Sequence, residues 1–301
     1  MVINITDTNE EIGPNELEEL LNKYNITEKE INTILKQKEK HNLNVDEISQ
    51  IFKQIPQQNH NNEIYNHRFS GKHSKFGIIS DTHIGNNNFK EDLFMKAVYT
   101  FNKESVDIIY HPGDICEGMS NREGHIYELA IPGITNQVKH ATELLNQFNA
   151  PVYGITGNHE LWATNKANQG LDVGDYLDNK CDNYTNLGQM EADIDIGSGV
   201  ILKLYHGMDG SAYAPGYRGM KLIESLQGGQ KPNILLSGHT HKYVQMFQRN
   251  IHYTECGCLE DQTAFMRGKK LLAHTGFLII DVWYNKNGLD RIQTQFYPSY
   301  D

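Results

Sequence analysis

Short apolar runs alternate with polar, helix-forming stretches from about residue 75 to the end of the chain. Five of these runs, at 76–79, 108–110, 152–155, 200–204 and 234–236, have the length and composition of buried strands. Amphipathic spacing predicts helices over 90–103 and 136–148 between the early runs. This order predicts an α/β domain in which helical crossovers join parallel strands.

The last third of the chain changes to a β-rich pattern. Apolar positions predict strands at 244–247, 251–254, 276–283 and 292–296. The pattern alone allows a doubly wound sheet.

A different pattern occupies residues 1–56. It predicts three short amphipathic helices: the first follows Pro14, the second opens at a capping box that begins at Thr27, and the third begins at Asn44. Such a helix-turn-helix-like bundle can contact DNA, but acidic residues outnumber basic ones here, which favours an accessory module for a protein partner. Residues 57–74 are polar and rich in Asn, Gln and His, and they predict a linker to a domain at 75–301.

Composition narrows the functional classes. Of the 301 residues, 38% are hydrophobic, but no apolar run approaches the roughly 20 residues that span a membrane. The start of the chain lacks the basic and apolar segments of a signal peptide, and four cysteines do not form a disulfide framework at this length, so a cytoplasmic protein is expected. The net charge of −11 argues against a broad nucleic-acid-binding face and favours chain ends, single strands or a small phosphodiester as substrate.

Five polar segments end or follow the predicted strands. They carry carboxylate, amide and imidazole groups, which are ligands of hard and borderline divalent cations. One such motif alone would more often be a turn, but five at the carboxyl ends of strands predict a dinuclear metallohydrolase. The segments are Asp81-Thr82-His83, Gly113-Asp114, Gly157-Asn158-His159-Glu160, Tyr205-His206-Gly207 and Gly238-His239-Thr240-His241.

These segments resemble the motifs of the calcineurin-like metallophosphoesterase superfamily, from about residue 75 to the end of the chain. The chain is most similar to the phosphodiesterase and nuclease branch, which includes double-strand-break-repair nucleases, the small subunit of archaeal family-D DNA polymerase and phage-borne phosphoesterases. It departs from the protein serine/threonine phosphatases, because Asp114 is followed by Ile115-Cys116-Glu117-Gly118 and the arginine that grips a phosphomonoester is missing. The resemblance implies a four-layer α/β/β/α sandwich of two mixed sheets with the metals at one edge. Together with an Asn- and Lys-leaning composition, it points to a phage origin.

The resemblance also implies which residues hold the metals. A hydroxide shared by two divalent metals would attack phosphorus; Mn²⁺ is the expected metal, with Fe, Zn²⁺ or Ni²⁺ as alternatives. The implied ligands are Asp81, His83 and His241 for one metal, Asn158, His206 and His239 for the other, and Asp114 as the bridge.

Further roles follow from the same resemblance. His159 is expected to face the phosphate as a catalytic residue beside Asp114, where it stabilises developing charge or protonates the leaving oxygen. Glu160 and Asp209 are candidates to accept hydrogen bonds from ligand imidazoles, and a simple salt bridge is the alternative for Glu160.

Substrate selection is expected from the loops at 116–128 and 210–218. Arg218 could pair with a phosphate, and Tyr213 or Tyr217 could stack on a base. His125 lies shortly after the bridging Asp114 and is a further candidate for substrate contact. The alternative is a surface loop with structural tyrosines. Trp162 is expected to line the cleft or to pack in the core.

Three functions are compatible with these residues. The resemblance favours a metal-dependent phosphodiesterase, most readily a nuclease acting on DNA or RNA. The second is a phosphodiesterase or phosphatase for small molecules such as cyclic nucleotides, which the acidic composition favours. The third is a non-catalytic scaffold whose N-terminal helices bind a partner. It ranks last because every motif position is filled.

Overall fold

The computed structural model describes residues 3–4, 11–12, 64–69, 71–165, 171–208, 210, 214–227 and 231–300. The chain comprises two units, Met1–Asn59 and His60–Asp301. In the first unit, strand β1 (Ile3–Asn4) pairs antiparallel with β2 (Glu11–Ile12). The three helices predicted over 1–56 lie outside the described residues.

The second unit alternates strands and helices in its first half and is mostly strand in its second half, as the pattern predicts. Its helices are α1 (Glu91–Glu104), α2 (Ile134–Leu145), α3 (Asn158–Asn165), α4 (Val173–Asp178), α5 (Tyr217–Ser225) and α6 (Ala264–Lys269), with a 3₁₀ turn at His125–Glu128. Its strands are β3 (Ile64–Asn66), β4 (His73–Ile78), β5 (Ile108–His111), β6 (Val152–Thr156), β7 (Tyr184–Gln189), β8 (Glu191–Asp195), β9 (Ile201–Tyr205), β10 (Ile234–Ser237), β11 (Tyr243–Gln248), β12 (Ile251–Cys256), β13 (Gly276–Asn285) and β14 (Gly288–Pro298).

Two mixed sheets form the frame of this unit. The first has the order β14-β13-β4-β5-β6-β7, in which β4 to β7 are parallel and β13 is antiparallel to both of its neighbours. The second has the order β11-β12-β10-β9-β8-β3, with β12, β10 and β9 parallel. Among the parallel strands, β4, β5 and β6 of the first sheet and β10 and β9 of the second are central and rich in buried apolar residues, as expected for strands covered on both faces.

The sheets pack face to face, and helices cover their outer faces. Phe76 and Tyr110 of the first sheet share an apolar core with Leu204 and Leu236 of the second. On the outer face of the first sheet, α1 and α2 bury a separate core that includes Phe101. Helix α5 packs on the outer face of the second sheet. The predicted four-layer α/β/β/α sandwich is thereby confirmed.

Part of the predicted linker belongs to this sandwich. Strand β3 pairs in parallel with β8 at the edge of the second sheet, and Arg68 forms a 2.6 Å ion pair with Asp195. The Phe69 ring lies 5.5 Å from that of Phe76 and packs against the core between the sheets. The polar composition of 57–74 concealed this strand because backbone pairing, more than side-chain burial, holds an edge strand in place.

Other element boundaries move by a few residues. Helix α2 begins and ends earlier than the predicted 136–148, and β14 extends well beyond the predicted 292–296. Polar, solvent-facing residues continue β14 because its backbone remains paired with β13 over almost the whole strand. None of the helices in the described part of the chain has the length and apolar content needed to cross a membrane. The four cysteines are buried, and all have free thiols.

Candidate metal centre and cleft

The five motif segments converge at one edge of the sandwich. Asp81, Asp114 and Asn158 follow β4, β5 and β6, which are adjacent parallel strands of the first sheet. His206 and His239 follow β9 and β10, which are adjacent and parallel in the second sheet. Because the carboxyl ends of parallel strands meet at one edge, the topology gathers residues that are far apart in sequence.

The backbone at this edge is strained. A left-handed conformation is uncommon outside glycine, costs on the order of 1–3 kcal/mol, and occurs mainly where a site requires it. Most of the predicted ligands adopt it, which aims their side chains away from the strand direction and toward one another. The residues and their φ angles are Asp81 (47°), His83 (48°), Asp114 (54°), His239 (74°) and His241 (54°).

Asp81, His83 and His241 form the first group of donor atoms, all within 4.8 Å of one another. The Nε2 atoms of His83 and His241 are 3.0 Å apart, and His241 Nε2 lies 3.5 Å from Asp81 Oδ1. The Nδ1–H of His83 donates to Glu117 Oε2 at 2.7 Å, which leaves Nε2 as the atom that faces the group. This spacing of two imidazole nitrogens and a carboxylate oxygen suits one divalent cation.

Asp114, His206 and His239 form the second group. His206 Nε2 lies 3.0 Å from Asp114 Oδ2 and 3.1 Å from the side-chain oxygen of Asn158. The Nδ1–H of His206 donates to the Pro112 carbonyl oxygen at 2.7 Å. This hydrogen bond leaves Nε2 as the donor atom for a cation, in the same way as the Glu117 contact does for His83.

Asp114 lies between the two groups. Its Oδ2 is 3.0 Å from His206 Nε2 in the second group and 3.8 Å from His83 Nε2 in the first. Its Oδ1 accepts a hydrogen bond from the backbone N–H of His159 at 2.9 Å. This is the position that the sequence predicts for a bridging carboxylate.

The electrostatics of the site fit bound divalent cations. Burial, with neighbouring carboxylates, raises the pKa of Asp81 to about 6 and that of Glu260 to about 8. Burial also opposes ionisation of Asp114, but His206 and His159 outweigh it and hold the pKa of this carboxyl well below 3.8. Cations in the two groups would offset the shared negative charge and favour the ionised carboxylates that metal ligation requires.

His159 faces the same space but is held differently from the ligands. Its Nδ1–H donates to the Glu117 carbonyl oxygen at 2.8 Å, and its Nε2 lies 3.9 Å from Asp114 Oδ2. The Trp162 ring packs against it at 3.9 Å between centroids. Burial lowers the pKa of His159, but the carboxylates of Asp114 and Glu117 more than compensate and raise it above 6.5.

Glu117 is a site residue that the sequence analysis left without a role. Its carboxylate accepts hydrogen bonds from His83 Nδ1 at 2.7 Å and from His125 Nε2 at 2.6 Å, and it lies 3.4 Å from His159 Nδ1. Burial opposes its ionisation, but these imidazoles hold its pKa well below 4.5. Glu117 therefore orients a predicted ligand through its carboxylate and the predicted catalytic histidine through its backbone carbonyl. Its position three residues after Asp114 was the available signal.

Glu260 is the second residue without a predicted role. Its Oε2 lies 3.6 Å from His241 Nδ1 and 4.0 Å from His83 Nε2, and the side chain is buried at the base of the cleft. It follows β12, whose carboxyl end reaches the same edge as that of β10. Its sequence position resembles that of the motif residues, but no motif marks it.

Glu160 does not have either of its expected roles. Its two carboxylate oxygens accept hydrogen bonds from the backbone N–H groups of Cys116, at 2.7 Å, and Gly157, at 2.8 Å. Glu160 therefore ties the loop after Asp114 to the loop before Asn158. Both loops turn these N–H groups inward, which brings them within hydrogen-bonding distance of the Glu160 carboxylate.

The residues predicted to contact substrate have mixed outcomes. His125 is only 1% exposed, but it lines the larger of the two cavities beside the ligands; its Nδ1 accepts from the Ser120 backbone and its Nε2 donates to Glu117. Tyr217 and Arg218 form the first turn of α5 and do not belong to a loop, because Gly216, with φ of 75°, starts the helix there. Tyr213 and Asp209 lie outside the described residues.

Tyr217 and Arg218 differ in where they lie. Tyr217 is 44% exposed and does not line either of the two cavities beside the ligands. Arg218 lines a small cavity of about 230 Å³ together with Gly207 and His239. The structure thus brings Arg218, but not Tyr217, next to the metal groups.

A larger cleft of about 760 Å³ opens onto the predicted ligands. One wall is the loop that follows Asp114, and the other is α6 with the residues around it. Trp162 lines this cleft, so of its two expected positions the structure selects the cleft. Asp114, His159 and His239 form part of the floor.

Comparisons with known proteins match the region that carries these groups. A family model described as Calcineurin-like phosphoesterase matches residues 74–243, more than half of the chain. The DNA polymerase II small subunit of Halobacterium salinarum is 25% identical over 226 residues, in a match that covers 62% of this chain and 44% of that protein. The chain therefore spans less than half the length of the curated relatives that it matches.

Similar solved structures were also found. A novel archaeal phosphodiesterase has 16% sequence identity and a TM-score of 0.43, over 74% of this chain and 99% of its own. Vacuolar protein sorting 29 from Cryptosporidium parvum has 13% identity and a TM-score of 0.37, over 76% of this chain and 100% of its own.

Proposed function

Because the chain belongs to the calcineurin-like phosphoesterase family, and is therefore a metal-dependent phosphoesterase, we propose that it is a nuclease that hydrolyses phosphodiester bonds in DNA or RNA. The observation that carries this proposal is the open cleft of about 760 Å³, which runs from the ligand groups past Trp162 and Phe265. A cleft with aromatic walls accepts bases on either side of a scissile phosphate.

The proposed metal ligands are those that the sequence predicts. When bound, two divalent cations supply a water molecule of lowered pKa and offset the negative charge of the phosphate. The mixed nitrogen and oxygen donors suit Mn²⁺, which we propose as the working metal. The ligand groups are Asp81, His83 and His241, and Asn158, His206 and His239, with Asp114 shared between them.

His159 is proposed to donate a proton to the phosphate or to the leaving oxygen. Its Nδ1–H is committed to the Glu117 carbonyl, so only Nε2 remains to face a substrate. The carboxylates of Asp114 and Glu117 favour the protonated ring. A protonated Nε2 beside the scissile phosphate both stabilises negative charge and assists departure of the leaving alcohol.

A diester substrate fits the chain better than a monoester. The arginine that grips a phosphomonoester in the serine/threonine phosphatases is missing after Asp114, where Gly118 stands at its place in the motif. A site without this cation lacks the partner for the second negative charge of a monoester. The halobacterial relative is named as a subunit of a DNA polymerase, which is consistent with a nucleic-acid substrate.

Residues 1–56 are proposed as an accessory module for a protein partner. Four buried free thiols suit a reducing cytoplasm.

The test is hydrolysis by the full chain in Mn²⁺, run in parallel on labelled DNA and RNA oligonucleotides, bis-p-nitrophenyl phosphate, p-nitrophenyl phosphate and cyclic nucleotides. Asp114→Asn removes the shared carboxylate, and Asp290→Asn makes the same change at an exposed position on β14 as the matched control. Oligonucleotide cleavage that is lost in Asp114→Asn and kept in Asp290→Asn is expected. Turnover confined to small diesters or cyclic nucleotides would refute the nuclease and establish the small-molecule phosphodiesterase instead.

A further inference from the structure

The two walls of the large cleft meet away from its floor of metal-binding residues. Arg122, from the loop after Asp114, lies over the ring of Phe265, from α6, with 4.9 Å between its guanidinium carbon and the ring centroid. Both side chains line the cleft. The contact therefore joins the walls and closes one end of the cleft with a flat, layered surface.

The guanidinium of Arg122 is fixed in its plane. Its two terminal nitrogens donate to the two carboxylate oxygens of Glu128, at 2.8 Å and 2.5 Å. A paired guanidinium of this kind loses little freedom when a ligand stacks on it. The Arg122 side chain remains 35% exposed and is therefore accessible from the cleft.

Phe265 is exposed although its helix is anchored. The adjacent Met266 is 6% exposed and lies in the protein interior, while Thr263 caps α6 by accepting a hydrogen bond from the Met266 backbone at 3.1 Å. Phe265 keeps 43% of its surface exposed, and Met266 is the residue of this helix that packs in the interior. An aromatic ring in this position serves the cleft more than the core.

A cation stands on the same side of α6. Lys269 follows Phe265 by four residues, the spacing that puts two side chains on one helix face, and it also lines the cleft. Against a net charge of −11 for the chain, Lys269 supplies the positive charge at this end of the cleft, since the charge of Arg122 is already paired with Glu128, which lines the same cleft.

We propose that Arg122 and Phe265 form a stacking platform for a nucleobase adjacent to the scissile phosphate, with Lys269 pairing with a phosphate of the same strand. The inference rests on the proposed function and names the part of a nucleic acid that this end of the cleft binds. Aromatic rings and guanidinium planes stack on every base, so the platform selects nucleotides without selecting sequence. The cleft volume, within the roughly 300–1,000 Å³ of small-molecule pockets, suits one or two nucleotides beside the metals.

The experiment measures the contribution of the base to binding. Dissociation constants of adenosine 5′-monophosphate and of ribose 5-phosphate are determined by calorimetry for the full chain in Mn²⁺. The ratio of the two constants isolates the base from the phosphate and the sugar. Variants Phe265→Ala and Phe265→Leu remove the aromatic face, Phe265→Tyr retains it, and Phe247→Ala deletes a ring that is 62% exposed on β11 and outside the cleft.

The wild type is expected to prefer the adenine nucleotide. Base stacking corresponds to a roughly 5- to 150-fold loss of that preference in Phe265→Ala and Phe265→Leu, with the preference retained in Phe265→Tyr and Phe247→Ala. Circular dichroism confirms folding, and the leucine variant decides the question if the alanine variant is unstable. Equal binding of the two ligands by the wild type, or an unchanged preference in Phe265→Leu, overturns the platform.

The two proposals fail separately. If oligonucleotides are cleaved but Phe265→Leu keeps its preference for the adenine nucleotide, the platform is refuted and the nuclease stands. If oligonucleotides are not cleaved but the preference depends on Phe265, the platform stands and serves a small nucleotide diester.

Discussion

Gly157 is the position where the smallest possible side chain should inactivate the centre. It lies beside Asp114 and His206 at the turn from β6 to α3 and donates its N–H to Glu160 at 2.8 Å. A Cβ atom built at this residue overlaps Asp114 Oδ1 and lies 2.6 Å from His206 Nε2. Its φ is outside the left-handed region, so the backbone itself would accept alanine and the effect is steric.

The magnitude follows from these distances. Real Cβ atoms essentially never approach another heavy atom within 3.0 Å, so either the Asp114 carboxylate or the loop must shift. A displacement of about 1 Å in a group of the catalytic site lowers the rate on the order of 100-fold, which corresponds to about 2.7 kcal/mol of transition-state stabilisation. Because Asp114 is shared by both groups, we expect loss of metal as well as loss of rate.

The assay for Gly157→Ala combines hydrolysis of bis-p-nitrophenyl phosphate in Mn²⁺ with the manganese content per chain by mass spectrometry. Gly71→Ala is the matched control, because the nearest atom to its added Cβ is 3.5 Å away, an ordinary contact. The control should remain within about twofold of the wild type, as expected for an exposed substitution without steric conflict. A Gly157→Ala protein that binds the wild-type amount of manganese and keeps its kcat/KM would show that the proposed ligand geometry is wrong.

Three further predictions concern the surroundings of the centre. Glu117→Gln, which weakens the hold on His83 and His125, should lower Mn²⁺ affinity or activity about 10- to 100-fold; a metal titration monitored by activity that matches the wild type contradicts this. Chelation should lower the Tm by roughly 5–10 °C if the metal had been present at about 100 times its Kd; an unchanged melting curve in scanning fluorimetry contradicts it. Burial and His206 lower the pKa of His111 to about 3 from 6.5, so the stability that its neutral ring contributes is complete above pH 6.5 and is lost as the pH falls. When the pH is lowered from 7.5 to 5, the free energy of unfolding should therefore fall by up to about 2 kcal/mol less in His111→Gln than in the wild type, as measured by urea unfolding in the presence of chelator. Equal decreases in the two proteins refute the assignment.

The sequence alone predicts those parts of the centre in which the position of a residue follows directly from the strand that precedes it. Each predicted ligand follows a short apolar run, and the run and the turn are both local properties of the chain. Parallel pairing then brings the ends of β4, β5 and β6 together without any further information. The positions of Asp81, Asp114 and Asn158 at one edge could therefore be predicted from strand identity and direction alone.

Glu260 could not be predicted because its position depends on strand order. It reaches the centre only because β12 lies beside β10 and runs parallel to it. A single β-rich stretch can be arranged in several orders, and the apolar pattern is the same in each. The contact between His125 and Glu117 depends on a similar long-range arrangement, because the loop after Asp114 folds back to bring this ring against the carboxylate.

Strand β3 and helix α5 show the limits of composition as a guide. β3 is held by backbone pairing with β8, so its polar residues give no apolar signal. The glycine- and tyrosine-rich segment before α5 resembled a loop up to Arg218, although the helix begins at Tyr217. Its buried anchor, Ile223, comes later in the helix and faces the second sheet. Elements at the edge of a fold are stabilised by neighbours that a single sequence does not reveal.

The placement of charge within the cleft makes the net negative charge of the chain compatible with the proposed polyanionic substrate. Negative side chains are concentrated where cations bind, since Asp81, Asp114, Glu117 and Glu260 are all buried at the floor. Metal charge offsets these carboxylates locally, so the net charge of −11 overstates the repulsion that a phosphate would meet there. The proposed substrate contacts lie on the walls and depend more on stacking than on a broad basic surface. Binding should therefore be less sensitive to salt than that of a protein with many phosphate contacts, because few counterions are released. Substrate choice would then reside in the two walls, which can vary without disturbing the ligands at the strand ends.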